Sequence, residues 1–143
     1  SMSVALLINF CACLYITGLI WTIQIVHYPA FSHIGKKSFN QFIKMHTKRM
    51  GYIVSAPMLI ELISSSYLAM DHKSIFFYAN FAFVIFIWIS TAFLSVPKHR
   101  ILKSGKNKST IAALVKTNWP RTVLWTCRSL SMFVYILNLE FLK

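Results

Sequence analysis

Three acidic residues occur among 143, and one of them, Glu61, is the only charge between Gly51 and Met70. Arg128 stands at a matching depth in the apolar run from Pro120 to Leu142. A charge at the centre of a membrane helix costs roughly 2.5–3.5 kcal/mol on insertion scales, so two opposite charges at one depth are expected to pair. Such a pair fits two uses. A buried carboxylate can serve as a general base, with a guanidinium stabilising negative charge as it develops. A buried pair can also do no more than fix helix register. Glu61, His27 and Arg128 are the candidate catalytic residues.

Other polar and aromatic residues fall into stripes. At about 100° per residue, His46, Arg49, Pro57 and Glu61 share one helix face, and Asn118, Arg121, Trp125 and Arg128 share another. Thr17, Trp21, Gln24 and His27 or Tyr28 form a third stripe; Trp88, Thr91 and Ser95 form a fourth. Polar stripes are expensive against lipid, so all four are expected to face inward. They predict a cavity lined by Gln24, His27, Glu61, Trp88, Trp125 and Arg128, with His46, Arg49, His99 and Arg121 at its mouth. Trp88 and Trp125 would sandwich a ring, and Gln24, His46, Arg49 and Arg121 would complete the substrate contacts. Aromatic walls with a few convergent polar groups make small-molecule pockets. The basic mouth favours an anionic or phenolate-like ligand. Tyr28 and Trp119 are assigned instead to an aromatic belt at the membrane interface.

His27, His46, His99 and Glu61 are also residue types that hold haem or a metal ion. None of them shows an H-x-x-x-H or E-x-x-H spacing within one helix, so any convergence must come from tertiary structure. A site without a cofactor is the favoured expectation, and haem or metal is the alternative. His33 and His72 are expected in solvated loops. Cys11, Cys13 and Cys127 lie inside apolar runs at spacings that give neither a disulfide framework nor a metal knuckle.

Membrane helices must position these residues. Hydrophobic residues make up 57% of the chain and charged residues 13%. Four apolar runs, about 4–26, 51–70, 74–96 and 120–142, each reach the roughly 20 residues needed to cross about 30 Å of hydrocarbon. Runs of that length are helices rather than barrel strands. The expected fold is all-α, a four-transmembrane-helix bundle in which residues 1–143 form a single domain. Eleven of the fifteen Lys and Arg residues lie between His27 and Arg49 or between Pro97 and Trp119, while the hairpin Asp71-His72-Lys73 is nearly neutral. The positive-inside rule therefore puts both basic loops in the cytoplasm and both termini outside, in a bacterial inner membrane.

A net charge of +12 would suggest nucleic acid in a soluble chain. Here the charges flank spans, which excludes that partner in favour of anionic lipid headgroups. The first run lacks a basic leader and a small-residue cleavage site, and is read as a retained span. Ser1 ahead of Met2 reads as a cloning remnant. A homo-oligomer remains open.

The first basic segment is expected to hold structure. Ser38 can cap a helical extension over about 38–50, with Phe39, Phe42 and Ile43 on one face. That extension should run into the second span, where Pro57 removes the hydrogen bond to Ile53 and kinks the helix. Ser109–Thr117 predicts a short interfacial helix after a turn rich in Lys. A faint duplication is visible as well. Trp21 precedes Pro29 by eight residues and Trp88 precedes Pro97 by nine, each pair ending a span that leads into a basic segment.

The segment Val96-Pro97-Lys98-His99-Arg100-Ile101-Leu102, followed by Asn118-Trp119-Pro120-Arg121-Thr122 and Arg128, resembles the anthrone-oxygenase-like four-helix bacterial membrane proteins. That family ends its third span with a Pro-Asn-x-x-Leu-like segment and opens its fourth with a Trp/Asn-x-x-Arg-Thr-like one. The resemblance covers roughly the last third of the chain, residues 96–128, plus the general layout. Lys98 and His99 stand where the family tends to carry Asn. It implies oxidation of an aromatic or quinone-type substrate without a cofactor. A fainter likeness, in a Trp-containing first span ending in Tyr28-Pro29, is to the four-helix haem-binding protoporphyrinogen oxidases. Three function classes follow: an oxidoreductase acting on a small aromatic or isoprenoid substrate, a non-catalytic binding or transport module for a lipid or anion, and a haem or metal carrier.

Overall fold

A computed structural model describes residues 2–142; Ser1 and Lys143, and the reading of Ser1 with them, lie outside the described residues. Four long helices account for most of the chain: α1 Val4–His33, α2 Lys36–His72, α3 Ile75–Leu102 and α4 Lys108–Glu140, each long and apolar enough to cross a membrane. No strand occurs among the described residues. Connections this short force consecutive helices to lie antiparallel. Both basic connections therefore fall at one end of the bundle. Lys106 Nζ ties them together by donating to the Ser32 and Ile34 carbonyls at 2.8 and 2.7 Å.

Local sequence explains the helix ends. Ser3 Oγ accepts from the Leu6 N–H at 3.2 Å, Ser74 Oγ from Phe77 at 3.5 Å, and Asn107 Oδ1 from Thr110 at 3.0 Å, each satisfying an orphan donor of the first turn. Lys73, in the left-handed region at φ 49°, ends α2. The expected cap at Ser38 is not used. Gly35, in an extended conformation, starts α2 without a side-chain cap, and Ser38 sits exposed in the first turn. The extension and the second span are one unbroken helix that passes through Pro57. The separate helix expected over Ser109–Thr117 is instead the start of α4, which continues through Pro120.

Two widened turns set the geometry of the site. Ile23–His27 in α1 and Thr91–Ser95 in α3 are π-helical, closed by the Tyr28 N–H on the Ile23 carbonyl and the Val96 N–H on the Thr91 carbonyl. Each turn is closed by the residue just before a proline, Tyr28 before Pro29 and Val96 before Pro97. Proline has no N–H to continue the ladder. The preceding residue reaches back one position further, and the missing donor falls at the edge of the wide turn. Such bulges recur at functional sites. The faint Trp–Pro duplication in the sequence coincides with these two turns.

Inside the bundle, Leu6, Ile16, Ile20, Ile43, Leu68, Phe77, Ile87 and Met132 are essentially inaccessible. Outside, Ile25, Val26, Ile63, Ile75, Phe93 and Leu130 are each more than half exposed, a surface suited to lipid rather than water. Cys13 is buried, and Cys11 and Cys127 are exposed; all three are free thiols.

Candidate functional site

The inward polar side chains form layers from the neutral hairpin end to the basic end. Nearest the hairpin, Arg128 Nη1 lies 2.6 Å from Glu61 Oε1, with both side chains almost fully buried. The other oxygen, Oε2, accepts from Trp125 Nε1 at 2.9 Å. Arg128 Nε donates to Asn80 Oδ1 at 2.9 Å, and its Nη2 donates to Asn9 Oδ1 at 3.3 Å. Asn9 Nδ2 in turn donates to the Glu61 carbonyl and to Ser64 Oγ. All four helices thus contribute to one closed network. Its hydrogen bonds offset desolvation that a bare buried pair would not recover. Asn9 and Asn80, each an isolated Asn in an apolar stretch, are members of the network that the sequence reading did not assign. An isolated Asn in a membrane run was the available signal.

A second layer joins α1 to α4. Thr17 Oγ1 lies 2.7 Å from Ser129 Oγ, and Cys13 Sγ lies 3.3 Å from the same hydroxyl. One layer further on, Gln24 Oε1 accepts from Asn118 Nδ2 at 2.9 Å and Thr122 Oγ1 at 2.8 Å, while Gln24 Nε2 donates to the Val115 carbonyl. Asn118 Oδ1 accepts from Arg121 Nη1 at 3.1 Å.

Arg121 differs sharply from Arg128. It is 4% exposed, yet among the described residues no carboxylate faces it; Asp71 and Glu140 are exposed near the opposite helix ends, and Glu61 is committed to Arg128. Its Nη1 donates weakly to Ser95 Oγ at 3.4 Å, its guanidinium lies 5.1 Å from the centre of the Trp125 ring, and its Nε has no hydrogen-bond partner. A buried unsatisfied donor ordinarily costs about 1–3 kcal/mol, and more on a charged group.

At the basic end the three histidines from α1, α2 and α3 meet. His27 Nε2 is 2.8 Å from His46 Nδ1, and His46 Nε2 is 2.9 Å from His99 Nε2. The His46 and His99 ring planes lie only 7° apart. His99 Nδ1 donates to the Ser95 carbonyl at 2.8 Å. The two π turns hold the outer members: His27 is the last residue of the first, and Ser95, the last of the second, anchors His99. A single metal ion would need one nitrogen from each ring turned to a common point. Here the two nitrogens of His46 face opposite neighbours, and among the described residues no group of His, Cys, Asp or Glu is arranged to hold a metal.

A cavity of about 420 Å³ opens beside this chain, a size typical of small-molecule sites. Met50, Val54, Ser55 and Met58 of α2 form one wall, and Trp88, Thr91, Ser95 and His99 of α3 form the other. Tyr28, His46 and Arg121 close its inner end, and Arg100 and Lys103 stand at its edge.

The cavity is not the one drawn from the stripes. Trp88 lines it, and His46, His99 and Arg121 are lining residues rather than a mouth. Gln24, His27, Glu61, Trp125 and Arg128 are absent from its lining: Gln24, Glu61, Trp125 and Arg128 direct their polar groups to partners on neighbouring helices, and His27 turns its Nε2 to His46. Arg49 is exposed on the outer side of α2. Tyr28, assigned to the interfacial belt, is buried at the inner end, since the π turn swings it inward. Trp119 remains 40% exposed and packs edge-on against Trp21. No family model, curated protein or solved structure matches this chain.

Proposed function

We propose that this is a multi-pass protein of the bacterial inner membrane, with both termini outside and both basic loops in the cytoplasm, that holds a small amphipathic oxyanion in the cavity between α2 and α3. One observation carries the reading: Arg121, a residue of the cavity lining, is a buried guanidinium whose Nε–H has no partner and which no carboxylate among the described residues neutralises. A carboxylate or phosphate supplies both the missing acceptor and the missing charge. Arg100 and Lys103 draw such a group toward the opening. Met50, Val54 and Met58 offer an apolar path for its tail toward lipid. The Glu61–Arg128 network braces the bundle beneath the cavity.

The test uses a terminally brominated fatty carboxylate and the corresponding alcohol. Bromine quenches nearby indoles, and Trp88 lines the cavity. The carboxylate should quench saturably and the alcohol far less. Arg121→Gln should weaken the carboxylate by roughly tenfold or more, the scale of one charge-assisted hydrogen bond. Equal binding of acid and alcohol, or an unaffected Arg121→Gln, would contradict the reading.

A second reading, oxidation of a small quinone-type substrate, draws on one observation: His46 and His99 share a wall with Trp88 and Arg121. The lining supplies a ring contact and a cation for a developing phenolate, and its histidines would act as a base by giving up a hydrogen bond within their chain. Oxygen uptake in the presence of anthrone, abolished in His46→Gln, would support it; uptake at the uncatalysed background would not.

A further inference from the structure

We propose that His27, His46 and His99 form a proton relay that charges the cavity wall when an oxyanion binds, drawing the proton from the bundle surface through His27. The proposal rests on the anion reading for its trigger and on hydrogen-bond direction for its route.

The direction follows from one fixed end. A carbonyl only accepts, so His99 Nδ1 must carry the proton that points at Ser95. In a neutral ring, His99 Nε2 then accepts, and the proton between the rings belongs to His46 Nε2. His46 Nδ1 therefore accepts in turn, and the proton there belongs to His27 Nε2. These tautomers are assigned from the bonding pattern. What remains is His27 Nδ1, an open acceptor on a ring that is partly exposed and lies outside the cavity lining. The three rings form a directed chain from the surface to the cavity wall.

A proton taken from water at His27 Nδ1 lets His27 release its Nε2 proton to His46 Nδ1. His46 then releases its Nε2 proton to His99 Nε2. Only N–H bonds form and break. The net result is one proton lost by solvent and an imidazolium at His99, whose Nδ1–H still holds Ser95.

The surroundings supply the coupling. The charged and titratable groups around the inner end of the chain are Tyr28 from α1 and Arg121 from α4, with Arg100 and Lys103 from α3 at the edge of the cavity; no acid is among them. A further positive charge is disfavoured there while the cavity lacks an anion, and favoured once one sits on Arg121. Binding should therefore take up a proton, and affinity should rise as pH falls until the ligand itself protonates.

The experiment is calorimetric titration of decanoate into the full-length protein in nanodiscs, in two buffers of different ionisation heat. Stopped-flow mixing with a pH dye follows the rate. Up to one proton per decanoate is expected near neutral pH. His27→Phe should slow proton uptake severalfold, with free imidazole in the buffer restoring the rate; His27→Asn serves if the first variant unfolds. Binding without proton uptake would overturn the relay, as would uptake at the wild-type rate in both His27 variants. If decanoate gives no heat, the anion reading fails by itself, and the relay is judged by magnetic resonance on protein carrying isotope-labelled histidine. Nitrogen–nitrogen couplings across both N–H···N bonds would support the chain, and their absence would overturn it.

Discussion

Arg121 and Arg128 stand two turns apart on one face of α4, and their surroundings give them opposite tasks. Arg128 is fully engaged by Glu61, Asn80 and Asn9. Removing one partner of a buried pair leaves an uncompensated charge and costs about 3–5 kcal/mol. Arg128→Met should therefore lower unfolding stability in detergent by that order; an unchanged denaturation midpoint would contradict the bracing role. Arg121→Gln, which removes a charge without a counterion, should leave the midpoint nearly unmoved while weakening anion binding by roughly tenfold or more. The meeting of Glu61 with Arg128 was legible because charges are rare in apolar runs and the two share a depth. Their Asn partners were not, because the rotation of α1 and α3 about their axes is set by packing that a single sequence does not record. Tyr28 was misassigned for a related reason: a tyrosine at the end of an apolar run looks the same whether it faces headgroups or the interior.

At the scale of elements, two π turns and two prolines do the positioning. An unbroken α-helix would carry His27 and His99 round by a different angle. Pro97→Ala restores a donor and lets an ordinary α turn compete with the wide one. The expected result is severalfold weaker binding of the brominated carboxylate with little change in thermal stability; unaltered binding would show that the wide turn does not set the site. Helix existence and order were readable from four long apolar runs. The exact starts were not: Ser38 is a good capping residue, but Gly35 turns the chain three residues earlier. The π turns themselves left only a faint trace, the repeated Trp–Pro spacing. The convergence of three histidines from three helices left none, since no pair shares a helical spacing.

For the whole molecule, the charge distribution and the cavity agree. The short connections place the cavity at the end of the bundle that carries both basic segments. In the proposed orientation, which rests on the positive-inside rule, that end faces the cytoplasm. A reporter fused after Lys143 should be active outside and silent inside; cytoplasmic activity would reverse the orientation and with it the side from which anions and protons arrive.

The most direct measurement of the central claim is a distance. Carboxyl-labelled decanoate bound to guanidinium-labelled protein in lipid can be examined by dipolar recoupling in the solid state. An N–H···O contact of ordinary length puts the carboxyl carbon roughly 4 Å from the arginine Nε. The account predicts recoupling at that range, lost in Arg121→Lys. Saturable binding with no recoupling, or recoupling that survives Arg121→Lys, would place the anion elsewhere and contradict it.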